Sequence, residues 1–488
     1  MDTPLTEDGF YAASVARNIA VGRGITADGL TRTNGFQPLF TFLSALMCFF
    51  AGGERVLSLR FVIGFQCLVF LGTALGVGGV VSGFLRPDDP GGRKHLFLLT
   101  AFCYLAFVAN LMFSLNGLET GLLLLLLALC WLHYQRGDLS TWRGSVILGL
   151  ILGLLVLARV DAAFLVLILC LDRLLSGQGG PLGRRVAQAS VVGGTALCLS
   201  LPWWAYNLIY FGALEPTSGR AQQLVAFVPD RLAQAFWSLL QVANPWLYFG
   251  YFDSTVTRLC YLASSLAFGG VLYWSFVARP AGWRAWTAGG GRSVQSRTLR
   301  FGLYLCAHVL ALTLWYVASS WATHMYPRYL APLALPATML AAVALWRISA
   351  TSRRVGNTLT LALGAPALLV LVLLQTGGVF RGNPMYREQL QLVREWAPPE
   401  DTVAAAQSGT LGYFREGVLN LDGKVNADAL RYQGRMWSYL CAARVDWLCD
   451  EPVYLAQRLG GDPLEHGWTQ VARRGLFTLY RRSEACDR

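Results

Sequence analysis

Charged side chains are scarce in this chain, at 14% of 488 residues, where soluble domains carry about 25%. Lysine is nearly missing, with Lys94 and Lys424 the only two and arginine supplying the rest of the basic charge. No CxxC and no Cys/His ligand spacing occurs, so a zinc site is not expected. The eleven cysteines fall mostly inside apolar runs, as at Cys67, Cys103, Cys170 and Cys306, where they read as core packing. No internal repeat is visible. These shortages exclude a disordered chain, a nucleic-acid-binding domain and an ordinary soluble enzyme. What fills the space is apolar: 55% of residues, at a mean hydropathy of +0.44. The class is a polytopic membrane protein with some extramembrane mass.

The net charge of +12 is not spread evenly. From Phe380 to Arg488 there are 14 basic and 14 acidic side chains, so the whole surplus lies between the hydrophobic segments. That is the signature of orientation in a membrane, not of a nucleic-acid partner. Apolar stretches long enough to cross about 30 Å of hydrocarbon as helices run over 56–85, 95–113, 118–134, 186–211, 256–278, 300–320, 329–346 and 357–377. The run 144–173 is interrupted by Arg159 and Asp161; charges inside the bilayer are costly, so it is split at 158–161 into two short spans. About ten crossings result. Arginine-rich loops at 84–95, 134–143, 172–185, 278–300 and 346–354 define the cytoplasmic side. The turns 114–118, 158–161, 212–255 and 320–328, with everything after 378, then fall outside. Residues 37–52 read as an interfacial or re-entrant helix.

Residues 380–488 read as a small α/β domain. YREQLQLVREWA has helical period and APPE breaks it. TVAAA and VLNLDG read as short strands around the Gly-rich turn SGTLGY, and further helix and strand candidates follow at ADALRYQGRMWSYL, VDWLCD and LFTLYRR. Cys441 and Cys449 lie outside in this topology, where they either pair or remain free thiols. Three regions follow: an external segment with interfacial helices (1–55), a helical bundle (56–378) and the soluble domain (379–488).

The polar residues that the orientation rule leaves unexplained gather at the outer face. They are Glu7–Asp8, Asn116–Glu119, Arg159–Asp161, the string FGALEPTSGRA with Arg220, and ATHMYPRYLAPL with His324, Tyr326, Arg328 and Tyr329. Singly, each has an ordinary reading: an ion pair, a helix-start acid near the dipole or an interfacial anchor. Their shared location argues for a site. Tyr11, Val15 and Ile19 recur at helical spacing after Glu7–Asp8, so the two carboxylates open an interfacial helix. A polar loop with Asn34 and Gln37 follows. Paired carboxylates there suit deprotonation of a hydroxyl nucleophile.

EDGFYAASVARNIAVGRG, TNGFQPL, NGLETGL, LARVDAAFL, PRYLAPLALP and SGTLGYF…VLNLDGKVN, in order along nearly the whole chain, resemble the GT-C-type membrane glycosyltransferases. The resemblance is to the bacterial branch that uses polyprenyl-phosphate sugars, near the arabinofuranosyl-, mannosyl- and aminoarabinosyltransferases. It implies an all-α GT-C-like bundle that holds a lipid-phosphate sugar in a membrane cavity and transfers it on the extracytoplasmic side. It also implies a catalytic base within the first external acidic pair, here Glu7–Asp8, where relatives more often have Asp first. A first transmembrane helix is expected in this family, so either a short polar tail is translocated or, the favoured expectation, the start lies upstream of Met1.

These readings define the expected site. Asp8 and Glu7 are the catalytic candidates, with Asp8 favoured for its shorter side chain. Arg328, Tyr329, Tyr326, His324, Arg159, Asp161 and Arg220 are the donor phosphate and sugar candidates. Asn34, Gln37, Asn116 and Glu119 are the acceptor or loop candidates. A divalent cation, Mg or Mn, is left open because a second Asp-rich element is weak and Gln37 stands where relatives often show His. The expected activity is inverting hexosyl or pentosyl transfer from a polyprenyl-phosphate carrier to an envelope glycan, lipid or protein, at the bacterial inner membrane. The rival is a transporter or flippase, which would bind near the bilayer midplane between repeated halves.

Overall fold

The computed structural model describes residues 5–85, 89–175, 180–222, 230–244, 246–247, 254–276, 294–319, 327–376 and 384–483. The chain opens with α1 (Glu7–Ala20), whose first turn carries Glu7 and Asp8 and whose N-cap, Thr6, accepts a hydrogen bond from the Gly9 amide at 3.2 Å. Acids there complement the helix dipole. A Gly-rich loop leads to α2 (Pro38–Phe50), opened by a proline at its first position. α3 (Arg55–Ser82) then runs 28 residues, about 42 Å at 1.5 Å per residue.

The bundle continues through α4 (Pro90–Ala106) and α5 (Val108–Ser114), bent by 69° at Phe107, and α6 (Thr120–Arg136). α7 (Trp142–Ala158) and α8 (Ala163–Leu175) are separated by extended Arg159 and one turn of 3₁₀ helix. α9 (Leu182–Phe211) packs on α7 because Gly149 and Gly153 leave no room for a side chain; a Cβ at either would lie within 3.0 Å of α9 backbone oxygens. After α10 (Thr217–Arg220), α11 (Asp230–Ala243), α12 (Thr255–Phe276) and α13 (Val294–Ser319), a 3₁₀ segment (Pro327–Leu333) carries Arg328 and Tyr329 into α14 (Ala334–Thr351). α15 (Arg353–Thr376) closes the bundle. Among the described residues, five helices are long and apolar enough to cross a membrane, or six if the bent α4–α5 pair is one span. The expected ten is a larger number because α6, α7 and α8, at 17, 17 and 13 residues, are each short of a full span, and because α15 is not among the helices counted.

The arginine-rich turns collect at one end of the bundle. Arg173 donates to the Leu139 carbonyl, Arg184 and Gln188 to that of Ser140, Arg297 to that of Gly137, and Gln295 to that of Phe84. The ends of α7 and α6 that meet Arg159 and Glu119 are at the other.

The C-terminal unit begins with α16 (Pro384–Trp396). Its strands are β1 (Val403–Ala405), β2 (Val418–Asn420), β3 (Trp447–Asp450), β4 (Trp468–Arg474) and β5 (Phe477–Arg482), in the order β2-β1-β3-β5-β4. β2, β1 and β3 are parallel, with Val403 opposite both Val418 and Trp447; β5 and β4 add antiparallel. Alternate residues face opposite cores: Val403, Cys449 and Phe477 on one side, Ala404, Leu448 and Tyr480 on the other. β4 was not among the expected strands, since its sequence WTQVARR is mostly polar, with Thr469, Gln470 and Arg473 exposed. SGTLGY is not a turn but helix α17 (Gly409–Phe414), which buries Leu411 and Tyr413. Cys449 is a free thiol buried in β3 while Cys441 is disulfide-bonded, so these two do not pair.

Candidate active site

The polar end of the bundle encloses a cavity of about 650 Å³. Its walls are largely aromatic and aliphatic, with Phe36, Phe40, Phe164, Trp204, Leu214 and Trp315, and its charged lining is Asp8, Glu119, Arg159, Asp161, Arg328 and Lys424, with Glu215 at one side. These charged residues come from six distant segments of sequence.

Asp8 is the hub. One carboxylate oxygen accepts from Arg328 Nη2 at 2.8 Å and the other from Lys424 Nζ at 3.3 Å. Burial alone would raise its pKa, but the Lys424 ammonium and the Arg328 guanidinium hold the carboxyl well below the usual carboxylate range. Lys424 is shared with Asp422 at 3.4 Å and lies over the Tyr11 ring. A second cluster sits beside the first. Arg159, 4% exposed, donates through Nε to Asp161 at 3.1 Å, through Nη2 to the same carboxylate, and through Nη1 to Glu119 at 3.3 Å. Tyr316 donates to Asp161 at 3.0 Å and stacks on Tyr329 with ring centres 4.7 Å apart. The Tyr329 ring lies between the two clusters, with the guanidinium carbons of Arg159 and Arg328 at 5.4 and 5.6 Å from its centre.

Glu7 turns the other way. Consecutive residues on a helix point about 100° apart, and its carboxylate accepts from the Gly409 and Thr410 amides and from Thr410 Oγ1 at 2.6 Å, at the start of α17. Burial pushes its carboxyl up to about 7 against those hydrogen bonds. With Tyr11, which accepts from the Ser408 amide and donates to the Ala406 carbonyl, it docks the C-terminal unit on α1. A free glutamate carboxyl titrates near 4.5 and this one near 7, so between those values the folded chain retains a proton that the unfolded chain has lost. Raising the pH from 5 to 8 should therefore weaken this docking. Thermal melting of wild type and Glu7→Gln across that range checks it; the variant should lose much of the slope.

The other expected residues divide. Gln37, Glu119, Arg159, Asp161, Arg328 and Tyr329 line the cavity. Asn34 and Asn116 serve the backbone: Asn34 accepts from the Thr217 amide at 3.0 Å and donates to Asn207, and Asn116 accepts from the Leu118 amide. Arg220 is exposed and outside the cavity lining. His324 and Tyr326 lie outside the described residues. Among the described residues no three His, Cys, Asp or Glu side chains group as a metal site.

Lys424 was not among the expected site residues. Its signal is that it is one of only two lysines, in the polar string VLNLDGKVN. Its position depends on Gly35. The Lys424 carbonyl accepts from Thr217 Oγ1 at 3.0 Å, and a Cβ on Gly35 would lie 1.7 Å from that carbonyl oxygen. Gly35→Ala should displace Lys424 and lower turnover at least about tenfold, since a 1 Å misplacement can cost ~10². Gly64→Ala, with nothing within 4 Å, is the neutral control. Turnover and limited proteolysis of the C-terminal unit read both.

No protein-family model matches the chain, and no curated protein sequence matches it. Solved structures do. ArnT from Cupriavidus metallidurans bound to undecaprenyl phosphate superposes with a TM-score of 0.57 at 15% identity, over 97% of this chain and 93% of that one. The same protein in the apo state gives 0.51 at 13%, with the same coverage. The archaeal oligosaccharyltransferase AglB from Archaeoglobus fulgidus, in complex with an inhibitory peptide and a dolichol-phosphate, gives 0.50 at 13%, over 98% of this chain and 70% of that one. At such identities the likeness is one of fold, and the fold is the GT-C type.

Proposed function

We propose that the chain is a membrane glycosyltransferase that moves a sugar from a polyprenyl-phosphate carrier to a hydroxyl acceptor. The observation that carries this reading is the Arg328–Asp8–Lys424 bridge, set in a cavity whose other walls are mostly apolar. An amphiphile with an anionic head and a hydrocarbon tail matches that pairing. Cations hold phosphate oxygens, and apolar walls accept the isoprenoid. The GT-C fold, seen in ArnT with undecaprenyl phosphate, supports the same donor class.

In the reaction, the acceptor oxygen forms a bond to C1 of the sugar as the bond from C1 to the phosphate oxygen breaks. The leaving polyprenyl phosphate keeps the electron pair, and its new charge is met by Arg328 and Lys424. The hydroxyl proton passes to Asp8. Attack opposite the leaving phosphate inverts C1. Donor phosphate competes with Asp8 for the two cations, which frees the carboxylate to accept the proton. The Arg159–Glu119–Asp161 cluster fixes Tyr329 and Tyr316 beside it.

The reading places the cavity and the C-terminal unit on the extracytoplasmic side of a bacterial inner membrane, with about ten crossings counting the short helices. The arginine-rich end opposite the cavity supports this, as does disulfide-bonded Cys441, since disulfides persist in oxidising compartments. An impermeant thiol reagent on intact cells should label a cysteine introduced at Leu30 and not one at Ser140; both positions are exposed. The reverse pattern overturns the orientation. The activity is tested with purified chain, labelled undecaprenyl-phosphate sugars and envelope extract: transfer that depends on Asp8 and Arg328 supports it. Transport is disfavoured because the cavity and its charged residues lie at one end of the bundle, where alternating access uses the midplane.

A further inference from the structure

Arginines also occur at the cavity end, where the orientation rule does not explain them. Arg23 and Arg55 both reach one oxygen of Glu416, at 3.0 and 3.2 Å. Arg17 is in the same group: it donates to the Gly53 carbonyl at 2.8 Å, and Arg55 and Arg23 both act on its charge. Arg55 also donates to the Tyr413 carbonyl at 2.9 Å, so the cluster joins α1 and α3 to α17 of the C-terminal unit. Two guanidinium groups pair with one carboxylate, and the charge of Arg17 acts on the same carboxylate.

The surface next to it is apolar. α2 exposes Phe42, Leu46, Phe49 and Phe50, the last two at 64% and 62%. α3 exposes Leu57, Phe61 and Leu68 along one stripe, and exposed Arg60 lies on that stripe. Arg60 is five residues into α3, about 7.5 Å along its axis. A guanidinium on a lipid-facing stripe at that depth belongs at the headgroup level, where its stem lies on apolar surface and its head meets anions.

We propose that this corner binds the headgroup of an anionic phospholipid, with its phosphate held by Arg17, Arg23, Arg55 and Arg60 and its acyl chains on the exposed faces of α2 and α3. Charge complementarity selects an anion, and the adjoining apolar surface selects one that carries hydrocarbon. The lipid then bridges the bundle and the C-terminal unit at the membrane surface. The site is separate from the cavity and does not depend on the glycosyltransferase reading.

The test uses the full chain in nanodiscs of phosphatidylglycerol or phosphatidylcholine with matched acyl chains, read by native mass spectrometry and thermal melting. Wild type should retain phosphatidylglycerol and melt higher in it. Arg55→Gln with Arg60→Gln should weaken retention about fivefold per arginine and abolish part of the melting gain. Arg23→Glu, at an exposed position, should do the same if the first variant folds poorly. Glu416→Gln should strengthen retention by removing the competing carboxylate. Phosphatidylglycerol also meets the arginines at the far end, so Arg353→Gln with Arg354→Gln is the control. Equal losses in the control and the test variants, or no difference between the two lipids, overturn the proposal. So does full replacement of the effect by inorganic phosphate in detergent, since that means a phosphate site with no lipid preference.

Discussion

Arg328→Ala is expected to lower affinity for undecaprenyl phosphate by about 30-fold or more, since truncating one partner of a buried charge pair costs about 2–5 kcal/mol. The placement of Arg328 supports that proposed role. Its 3₁₀ segment runs straight into α14, its Nη2 contacts Asp8 at 2.8 Å, and its guanidinium packs by the Tyr329 ring. Arg159 is the weaker candidate for phosphate, because its guanidinium already serves two carboxylates, Asp161 and Glu119. Arg328→Lys keeps the charge and loses the planar fork, so it should fall between wild type and alanine. Part of the alanine defect reflects Asp8 left with one fewer cation. The double variant Arg328→Ala/Asp8→Asn should therefore be less impaired in binding than the two single effects added. Titration of wild type and variants in nanodiscs measures this. Unchanged affinity in Arg328→Ala removes Arg328 from phosphate recognition and leaves Lys424 as the cation to test.

The parts legible in the sequence are those governed by one-dimensional patterns. Hydropathy placed the long helices, because a bilayer demands apolar length. Arginine spacing separated the two ends, and sorting the remaining polar residues by depth brought Asp8, Glu119, Arg159, Asp161 and Arg328 to one end. The rest depends on rotation and on long-range contact. Glu7 and Asp8 are neighbours in sequence, yet one helical step sends Glu7 to α17 and Asp8 to the cavity. Lys424 reaches Asp8 across 416 positions of sequence, which no local pattern reports. Asn34 and Asn116 looked like ligands because polar loop residues at a site often are; both instead satisfy backbone amides that would otherwise be left without partners. Tyr316 was hidden inside an apolar helix, with nothing to show that its hydroxyl meets Asp161. Cysteine pairing failed for the same reason, since β3 buries Cys449 in a core that spacing alone does not reveal.

Asp8→Asn should reduce turnover by about 10²–10⁴, the usual contribution of a positioned general base. The geometry makes the loss specific to the chemical step. Asparagine keeps the shape but has one oxygen where Asp8 has two, so it accepts from only one of the two cations, and it relieves both of a competing negative charge. Donor phosphate then meets less competition, so donor affinity should hold or rise while kcat falls. Glu7→Gln should behave differently, because Glu7 contacts α17 and not the cavity: its effect belongs to docking of the C-terminal unit, with kcat changed far less. The pH profile adds a second constraint. Lys424 and Arg328 keep Asp8 ionised far below neutrality in the free protein, so kcat/KM should show no acid limb from Asp8 between pH 5 and 8. Once donor phosphate draws the two cations away, the Asp8 pKa should rise, and an acid limb belongs in kcat instead. Steady-state kinetics with a labelled lipid-linked sugar on both variants, across that pH range, decide the matter. If Glu7→Gln abolishes turnover and Asp8→Asn alters only binding, the roles of the two carboxylates are reversed. If neither variant moves kcat, the carboxylates serve the fold alone and base catalysis at α1 fails.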